Sequence, residues 1–296
     1  MTMRCRDAIR QLDAFRTGEL PRQGAEGVAA HLAECAECAE ELRQIRSVAE
    51  RLRRMRTLRV PRIRKRREHG PCDGFARVET DLGPAWVSFN ARGITMIDLG
   101  RCGAGDFMRN HQSRLGRAAV ARPVPERLAR LVQQAAEGSL RRDAPVDITS
   151  LPPFQRRVLE TLRAIPRGEV RPYSWLARES GFPRAARAVG STMASNPVPL
   201  LLPCHRVVPA GGGVGQYAYG APVKRELLGR EGVPVDELEG LSRAGVRYLG
   251  SRSTRVFCFP SCRNARRIAP TNRVPFASAE EAAAAGFRAC RHCRPA

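Results

Sequence analysis

Hydrophobic and polar positions alternate with a period of two between residues 75 and 97. Arg77–Thr80, Ala85–Phe89 and Ile94–Ile97 read as short β-type runs. Leu82-Gly83-Pro84 and Asn90-Ala91-Arg92-Gly93 separate them with turn chemistry. Further along, the period lengthens to that of a helix. Pro125–Gly138 predicts one helix, with proline near its start and glycine after its end. Residues 151–170 predict another, which places Phe154, Val158, Leu159, Leu162 and Ile165 on one face. Residues 174–195 read as two short helices meeting at Gly181-Phe182-Pro183. Such a helix–turn–helix reads DNA in some proteins and only packs a core in others. Upstream, residues 43–60 keep Ile45, Val48, Leu52 and Met55 at helical spacing until Pro61 stops the pattern, and residues 62–70 read as a loose linker.

A length of 296 residues suggests two or three domains. With 43% hydrophobic and 27% charged residues the chain carries enough apolar surface for packed cores. No run approaches the ~20 apolar residues of a membrane span. The N-terminus lacks the apolar stretch of a secretion signal, so the expected location is the cytoplasm and no membrane partner is expected.

Charge changes the picture more than length does. The net charge is +22, and only Lys65 and Lys224 among the 51 basic residues are lysine. A coding bias toward arginine explains the second fact but not the first. An excess of this size points to a polyanionic partner, most simply nucleic acid. The charge is also unevenly placed. Residues 1–42 carry five arginines and eight acids, residues 43–67 twelve basic residues and one acid, and the stretch from Leu241 on eleven arginines and two acids. An acidic module, a basic helix and linker, and a basic C-terminal module are therefore expected.

The ten cysteines supply the candidate chemistry. In a reducing compartment, clustered cysteines read as metal ligands or nucleophiles before disulfides. Cys258-x3-Cys262 and Cys290-x2-Cys293, 27 residues apart, form a four-thiolate set typical of structural zinc. His31-x3-Cys35-x2-Cys38 puts three ligands on one face of one helix, and Cys5 can arrive from a preceding helix as the fourth. The alternative there is a helical bundle with small buried thiols. Cys72 and Cys102 have no companions and read as ordinary thiols. His69, in the charged linker, and His111, in a polar loop, are expected to be solvated. Cys204 follows an apolar run and precedes His205. It is either a thiol activated by a base or a buried inert one.

The residues around Cys204 carry a resemblance. Pro203-Cys204-His205-Arg206-Val207 is the signature of the O6-alkylguanine-DNA alkyltransferases. AARAVGSTMASNPVPLLLPCHRVV, Val214-Gly215, Tyr217, Val223-Lys224 and Glu231-Gly232 continue the family's pattern in order, over roughly residues 72–235. The resemblance implies that Cys204 takes the alkyl group, that His205 acts through a water as its base, and that Glu231 orients His205. It implies that Asn196 braces the active-site turn, and that Tyr173 crowds the DNA phosphate and helps extrude the base. Arg187 would fill the gap in the stack, and the carbonyls of Cys204 and Val207 would receive the guanine amino group. The backbone N–H of Ala218, where relatives often have serine, would donate to the alkylated oxygen. Tyr219 stands where a small residue is common and would narrow the pocket. Extrusion is needed because the target carbon sits inside a duplex. The thioether product is stable, which implies a single turnover. Alkyltransferase-like proteins bind DNA without catalysis, but they lack the motif's cysteine, which is present here.

Two further resemblances frame this core. The C-terminal segment STRVFCFPSCRNARR…ASAEEAAAAGFRACRHCRP is similar to the zinc domain of Ada-type alkylation-response proteins. There the first of the four thiolates, matched by Cys258, removes methyl from DNA phosphotriesters. In those proteins the module leads the chain, the middle spacing is one residue shorter, and an AraC-like domain follows. No segment here has room for that domain, which argues against transcription activation. LDAFRTGEL and HLAECAECAEEL resemble the zinc-containing anti-sigma domains, which implies a sigma-factor partner for residues 1–45 and an alkylation-responsive regulator as the second functional reading.

The expected architecture is an α+β multidomain chain. Residues 1–45 form a helical zinc module and 46–71 a basic helix and linker. Residues 72–145 form a small ribonuclease-H-like β-rich domain, and 146–240 a helical, winged-helix-like catalytic domain. Residues 241–296 form a zinc module with four cysteine ligands. The expected partner is double-stranded DNA carrying alkylated guanine. The expected cofactor is zinc, one ion in the C-terminal module and a second in the N-terminal one.

Overall fold

In the computed structural model, which describes residues 3–57, 72–100, 102–141 and 144–295, the chain forms two compact units, Met1–Gly70 and Pro71–Ala296. The side chains of residue 48 and residues 51–57 and the expected linker, with Pro61 and His69, lie outside the described residues. Among the described residues no helix is long and apolar enough to cross a membrane.

The first unit is helical: α1 (Cys5–Ile9), α2 (Leu12–Thr17), α3 (Arg22–Glu34) and α4 (Ala36–Thr57). Leu12, Val28 and Leu42 form its core, with Phe15, Leu20, Leu32 and Ile45 against them. One expectation changes here. His31, Cys35 and Cys38 do not share one helix, because Cys35 is extended (φ −118°, ψ 104°) and separates α3 from α4. α4 runs across position 45, in line with the helical spacing that begins at residue 43.

The second unit opens with the period-two segment. β1 (Asp73–Thr80), β2 (Gly83–Asn90) and β3 (Gly93–Asp98) form an antiparallel meander. After α5 (Ala104–Leu115), β4 (Ala119–Ala121) returns parallel to β1, giving the order β3-β2-β1-β4. α6 (Glu126–Ala136) packs on β1. Gly93 is forced at the β2–β3 turn. Its φ is +139°, and a Cβ there would lie 2.3 Å from the Pro145 carbonyl oxygen.

The helical part follows. α7 (Pro153–Thr161) tightens into a 3-10 turn at Leu162–Ala164 and stops before Pro166, with Val158, Leu159, Leu162 and Ile165 buried. β5 (Arg171–Pro172) leads into α8 (Tyr173–Glu179), and α9 (Ala186–Ala194) completes the expected helix–turn–helix. Gly181, at φ +89°, makes the turn. Cys204–Arg206 is a 3-10 turn that runs into β6 (Val207–Val208), which pairs parallel with β5. α10 (Ala221–Arg230) and α11 (Val235–Arg243) close this part.

The C-terminal segment builds a second sheet. β7 (Tyr248–Ser251), β8 (Val256–Cys258), α12 (Arg263–Arg266), β9 (Arg273–Phe276), α13 (Ala279–Ala284) and β10 (Arg288–Ala289) give the strand order β10-β8-β7-β9. The three regions expected over 72–145, 146–240 and 241–296 thus share one compact unit. One buried cluster runs through all three, from Phe75 and Val87 through Leu159 and Trp175 to Cys258 and Cys293.

His111 corrects a sequence expectation. It lies on α5, fully buried rather than in a solvated loop. Its Nε2 pairs with Asp73 at 3.0 Å and its Nδ1 donates to the Arg117 carbonyl at 3.0 Å. Arg117 in turn bonds Asp147 at 2.9 Å, and Asn90 donates to Asp147 at 2.7 Å. The network ties α5, β1, β2 and the segment before α7 together. His111→Ala leaves the buried Asp73 carboxylate short of a partner and a ring-sized gap, so it should cost about 3 kcal/mol. Urea unfolding checks this, and a loss under about 0.5 kcal/mol would fit a solvated histidine instead.

Candidate active site and zinc sites

The loop from Asn196 to Cys204 is apolar and proline-rich, and it is folded by short-range backbone bonds from Leu201, Leu202 and Cys204. One side chain organises it. Asn196, 7% exposed, donates through Nδ2 to the Leu202 carbonyl at 2.8 Å and to Cys204 Sγ at 3.2 Å. Its Oδ1 accepts from the Val198 N–H at 3.0 Å. Leu200 within this loop sits at φ +70°, a conformation that costs a branched residue about 1–2 kcal/mol. The asparagine bonds and the burial of Leu200 to Leu202 hold that strain in place.

Cys204 is buried, and burial pushes its thiol pKa up, against the Asn196 hydrogen bond and the charge of Lys224. His205 is fully buried. Its Nε2 donates to Glu231 Oε1 at 3.0 Å, and its Nδ1 has no partner among the described residues. Burial lowers its pKa and Glu231 partly restores it. The imidazole is therefore neutral near pH 7, with a basic lone pair on Nδ1. Burial alone would raise Glu231, but bonds from His205 and Arg206 bring it down to about 2.

Three neighbours to which the sequence assigned no role complete the site. Arg206 grips Glu231 with Nε and Nη2, both at 2.8 Å, and donates Nη1 to the Ile165 carbonyl at 2.7 Å. Lys224 is 1% exposed and donates Nζ to the carbonyls of Val207 at 2.7 Å and Gln216 at 3.3 Å. Burial lowers its pKa to about 8, opposed by attraction to Cys204. Tyr217 places a buried hydroxyl beside the sulfur, and burial pushes its pKa well up. The signal for Lys224 was present: it is one of only two lysines in the chain.

A pocket opens at Cys204. The loop side contributes Tyr217, Ala218 and Tyr219, and the β-rich side contributes Met96, Asp98, Asn110 and Arg114. Tyr173 starts α8, half-buried against the core, and Arg187 is exposed near the start of α9. The outward face of α9 otherwise carries Ala188, Ser191 and Ala194, small side chains that permit close approach of a partner. Cys204, His205, Glu231 and Asn196 are thus brought together, with Ala218 and Val207 adjoining. Arg187 stands apart on the surface.

Two cysteine clusters can hold metal. In each, the ligand atoms lie within 4.8 Å of one another. Cys5 and Cys35 sulfurs are 3.8 Å apart, the edge of a tetrahedron with Zn–S near ~2.3 Å. In the same cluster His31 Nε2 is buried with no hydrogen-bond partner among the described residues, an orphan that a metal would satisfy. Cys258, Cys262, Cys290 and Cys293 form the second cluster, all buried. Both donor sets suit zinc, which would bind their deprotonated forms and tie distant segments together. Cys72 and Cys102 join neither cluster, and burial with nearby Asp98 raises Cys102 to about 11.

Known proteins match the same regions. Residues 153–233 match the family described as 6-O-methylguanine DNA methyltransferase, DNA binding domain. Residues 242–296 match the metal binding domain of Ada, and residues 5–39 match a putative zinc-finger. The methylated-DNA–protein-cysteine methyltransferase of Shigella flexneri is 35% identical over 171 residues, 53% of this chain and 94% of that protein. The bifunctional transcriptional activator/DNA repair enzyme Ada of Escherichia coli is 34% identical over 161 residues, 53% of this chain and 45% of that protein. A crystal structure of Mycobacterium tuberculosis OGT in complex with DNA is 28% identical, covering 57% of this chain and 98% of that one, with a TM-score of 0.46.

Elemental analysis should find about two zinc ions per chain. His31→Ala should remove one of them and loosen residues 1–45, while Cys293→Ala should remove the other. An unchanged zinc count in His31→Ala would exclude the N-terminal site.

Proposed function

The chain belongs to the methylated-DNA–protein-cysteine methyltransferase family, which moves alkyl groups from DNA to a cysteine of the protein itself, and from that premise we propose that Cys204 is the acceptor for O6-alkylguanine. The observation that carries this is the buried sulfur held 3.2 Å from Asn196, beside a histidine paired to a carboxylate at 3.0 Å.

The geometry supports the following course. A water between His205 Nδ1 and Cys204 carries the thiol proton to the imidazole. Glu231 and Arg206 fix the ring so that Nδ1, not Nε2, is the base. Lys224 and the Asn196 amide stabilise the sulfur's developing negative charge. The sulfur attacks the alkyl carbon, the carbon–oxygen bond breaks, and its electron pair stays with the guanine, which regains a proton from the imidazolium through water. The Ala218 N–H donates to that oxygen. The Cys204 and Val207 carbonyls receive the guanine amino group. Val207 also accepts from Lys224 Nζ, so it would use its second lone pair for the base. Tyr173 crowds the phosphate and Arg187 fills the stack after the nucleotide is extruded. Tyr219 narrows the pocket toward small adducts. The thioether does not hydrolyse, so each chain acts once.

The fold expectations fit the same reading. The order β3-β2-β1-β4 with β1 and β4 parallel supports a ribonuclease-H-like sheet, and the β5–β6 pair beside α7 to α9 supports a winged-helix-like catalytic part.

The Ada-type match favours a second activity, phosphotriester demethylation at Cys258, the first of the four thiols. The zinc-finger match over residues 5–39 and its four-ligand cluster support a sigma-factor-binding, alkylation-responsive role for the N-terminal module.

Wild type mixed with an O6-methylguanine duplex should gain about 14 Da on the Cys204 peptide, and Cys204→Ala should gain nothing while the lesion persists. Repair by Cys204→Ala would refute the assignment. Because burial lowers the His205 pKa, the single-turnover rate at saturating duplex should fall on the acid side with a midpoint below about 6.5. Glu231→Gln removes the charge that favours imidazolium, so the midpoint should move further to acid and the plateau drop about 100-fold. A rate independent of pH between about 4 and 7 would count against His205 as base.

A further inference from the structure

The four C-terminal thiols are buried: Cys258 and Cys290 are 1% and 3% exposed, and Cys262 and Cys293 are fully buried. Three stretches outside the module bond to the segments that carry them. On α8, Trp175 Nε1 donates to the Cys293 carbonyl at 2.9 Å and Arg178 Nη2 donates to the Arg294 carbonyl at 2.5 Å. Before β5, Glu169 is 2% exposed. Its Oε1 accepts from the Arg263 N–H at 3.1 Å and from His292 Nε2 at 2.9 Å, and one of its oxygens lies within 4.8 Å of Cys262 Sγ. The Ser261 hydroxyl donates to the Val170 carbonyl and accepts from the Val170 N–H, both at 3.0 Å. Buried Arg171 lies over the rings of Trp175 and Phe259, at 5.6 and 5.5 Å. After α10, the Gly232 carbonyl accepts from Arg266 Nη1 at 2.8 Å.

This arrangement conflicts with an acceptor that is permanently ready. A phosphotriester carries a nucleoside on each side. Its methyl carbon must come within about 3–3.5 Å of the sulfur, in line with the breaking bond. A sulfur on a residue 1% exposed does not admit that approach.

We propose that the contact is a latch: docked on α8 and residues 169–171, the zinc module masks Cys258, which accepts a methyl group only from the population in which the latch has opened. The proposal rests on Cys258 being the acceptor named above. In the open state the Cys258 thiolate attacks the methyl carbon, the carbon–oxygen bond breaks, and the phosphodiester leaves as an anion. No further reactant is needed. The latch is built from separable contacts, each worth a modest factor in the opening equilibrium, so weakening one raises the open fraction without unfolding the module.

The zinc-loaded full chain is treated with methyl iodide, and in parallel with duplex carrying a single methylphosphotriester, and Cys258 methylation is followed by peptide mapping. Trp175→Phe keeps a ring and loses the N–H donor. Arg266→Ala removes a surface contact far milder in its effect on folding. In both, methyl iodide should modify Cys258 about three- to tenfold faster than in wild type, with zinc content unchanged. Hydrogen exchange at the Val170 amide should accelerate in the same variants. Equal Cys258 rates in wild type and both variants overturn the latch. Variants that gain reactivity toward methyl iodide but take nothing from the phosphotriester support the latch and overturn the acceptor reading instead.

Discussion

One carboxylate organises the turn that carries Cys204. Glu231 accepts from His205 and, through two nitrogens, from Arg206, so adjacent residues of the 3-10 turn are fastened to the same group. A lone buried carboxylate would be costly, and losing one member of such a set costs about 3–5 kcal/mol. The carboxylate is tolerable because it is fully used. In return it sets the tautomer of His205 and the path of the chain into β6. Arg206 extends the tie to the Ile165 carbonyl, at the end of the α7 segment. Asn196 does the corresponding work on the other side of the cysteine, where the loop's other side chains are apolar or proline. The sulfur is thus placed by two polar side chains acting within an apolar shell, which keeps it both precise and desolvated.

The basic composition has a second explanation in the fold. Arginine side chains donate to backbone carbonyls at many turns and element ends: Arg163 to Ala144, Arg167 to Gly138 and Arg230, Arg230 to Ala136, Arg247 to Ala210, Arg273 to Ile268. Helix ends and loops leave carbonyls that need donors. A guanidinium fork meets several at once, where lysine offers a single compact charge. Part of the positive charge is therefore spent on closing the structure. Arg187 and Arg184, exposed beside the small-residue face of α9, remain as charge presented outward.

Period and punctuation made much of this legible. The three strands between residues 73 and 98, the helix–turn–helix around Gly181, and both cysteine clusters follow from spacing alone. What escaped were features decided by distant partners. α5 escaped because its apolar positions are few and its burial comes from distant partners, and β4 because it is a three-residue, mostly exposed edge strand. His111 read as polar and solvated because its partners, Asp73 and the Arg117 carbonyl, are not periodic neighbours. Cys35 read as helical because a 3.6 period does not register a one-residue break. At the site, Cys204 and His205 announced themselves by adjacency. Lys224 was marked only by the rarity of lysine in the chain, and its role emerges once the carbonyls of Val207 and Gln216 are seen converging on its Nζ.

The two zinc modules show how the same chemistry serves different ends. The N-terminal cluster gathers Cys5, His31, Cys35 and Cys38 from segments whose own apolar core is small, centred on three residues. There the metal substitutes for a core too small to hold four helices by itself. The C-terminal cluster has a larger core and lends its backbone and side chains outward, with Ser261, Arg263, His292 and Cys293 all bonded to residues 169–175. Those residues include β5, the strand paired with β6 directly after the Cys204 turn. A zinc module fastened there stiffens the back of the active site.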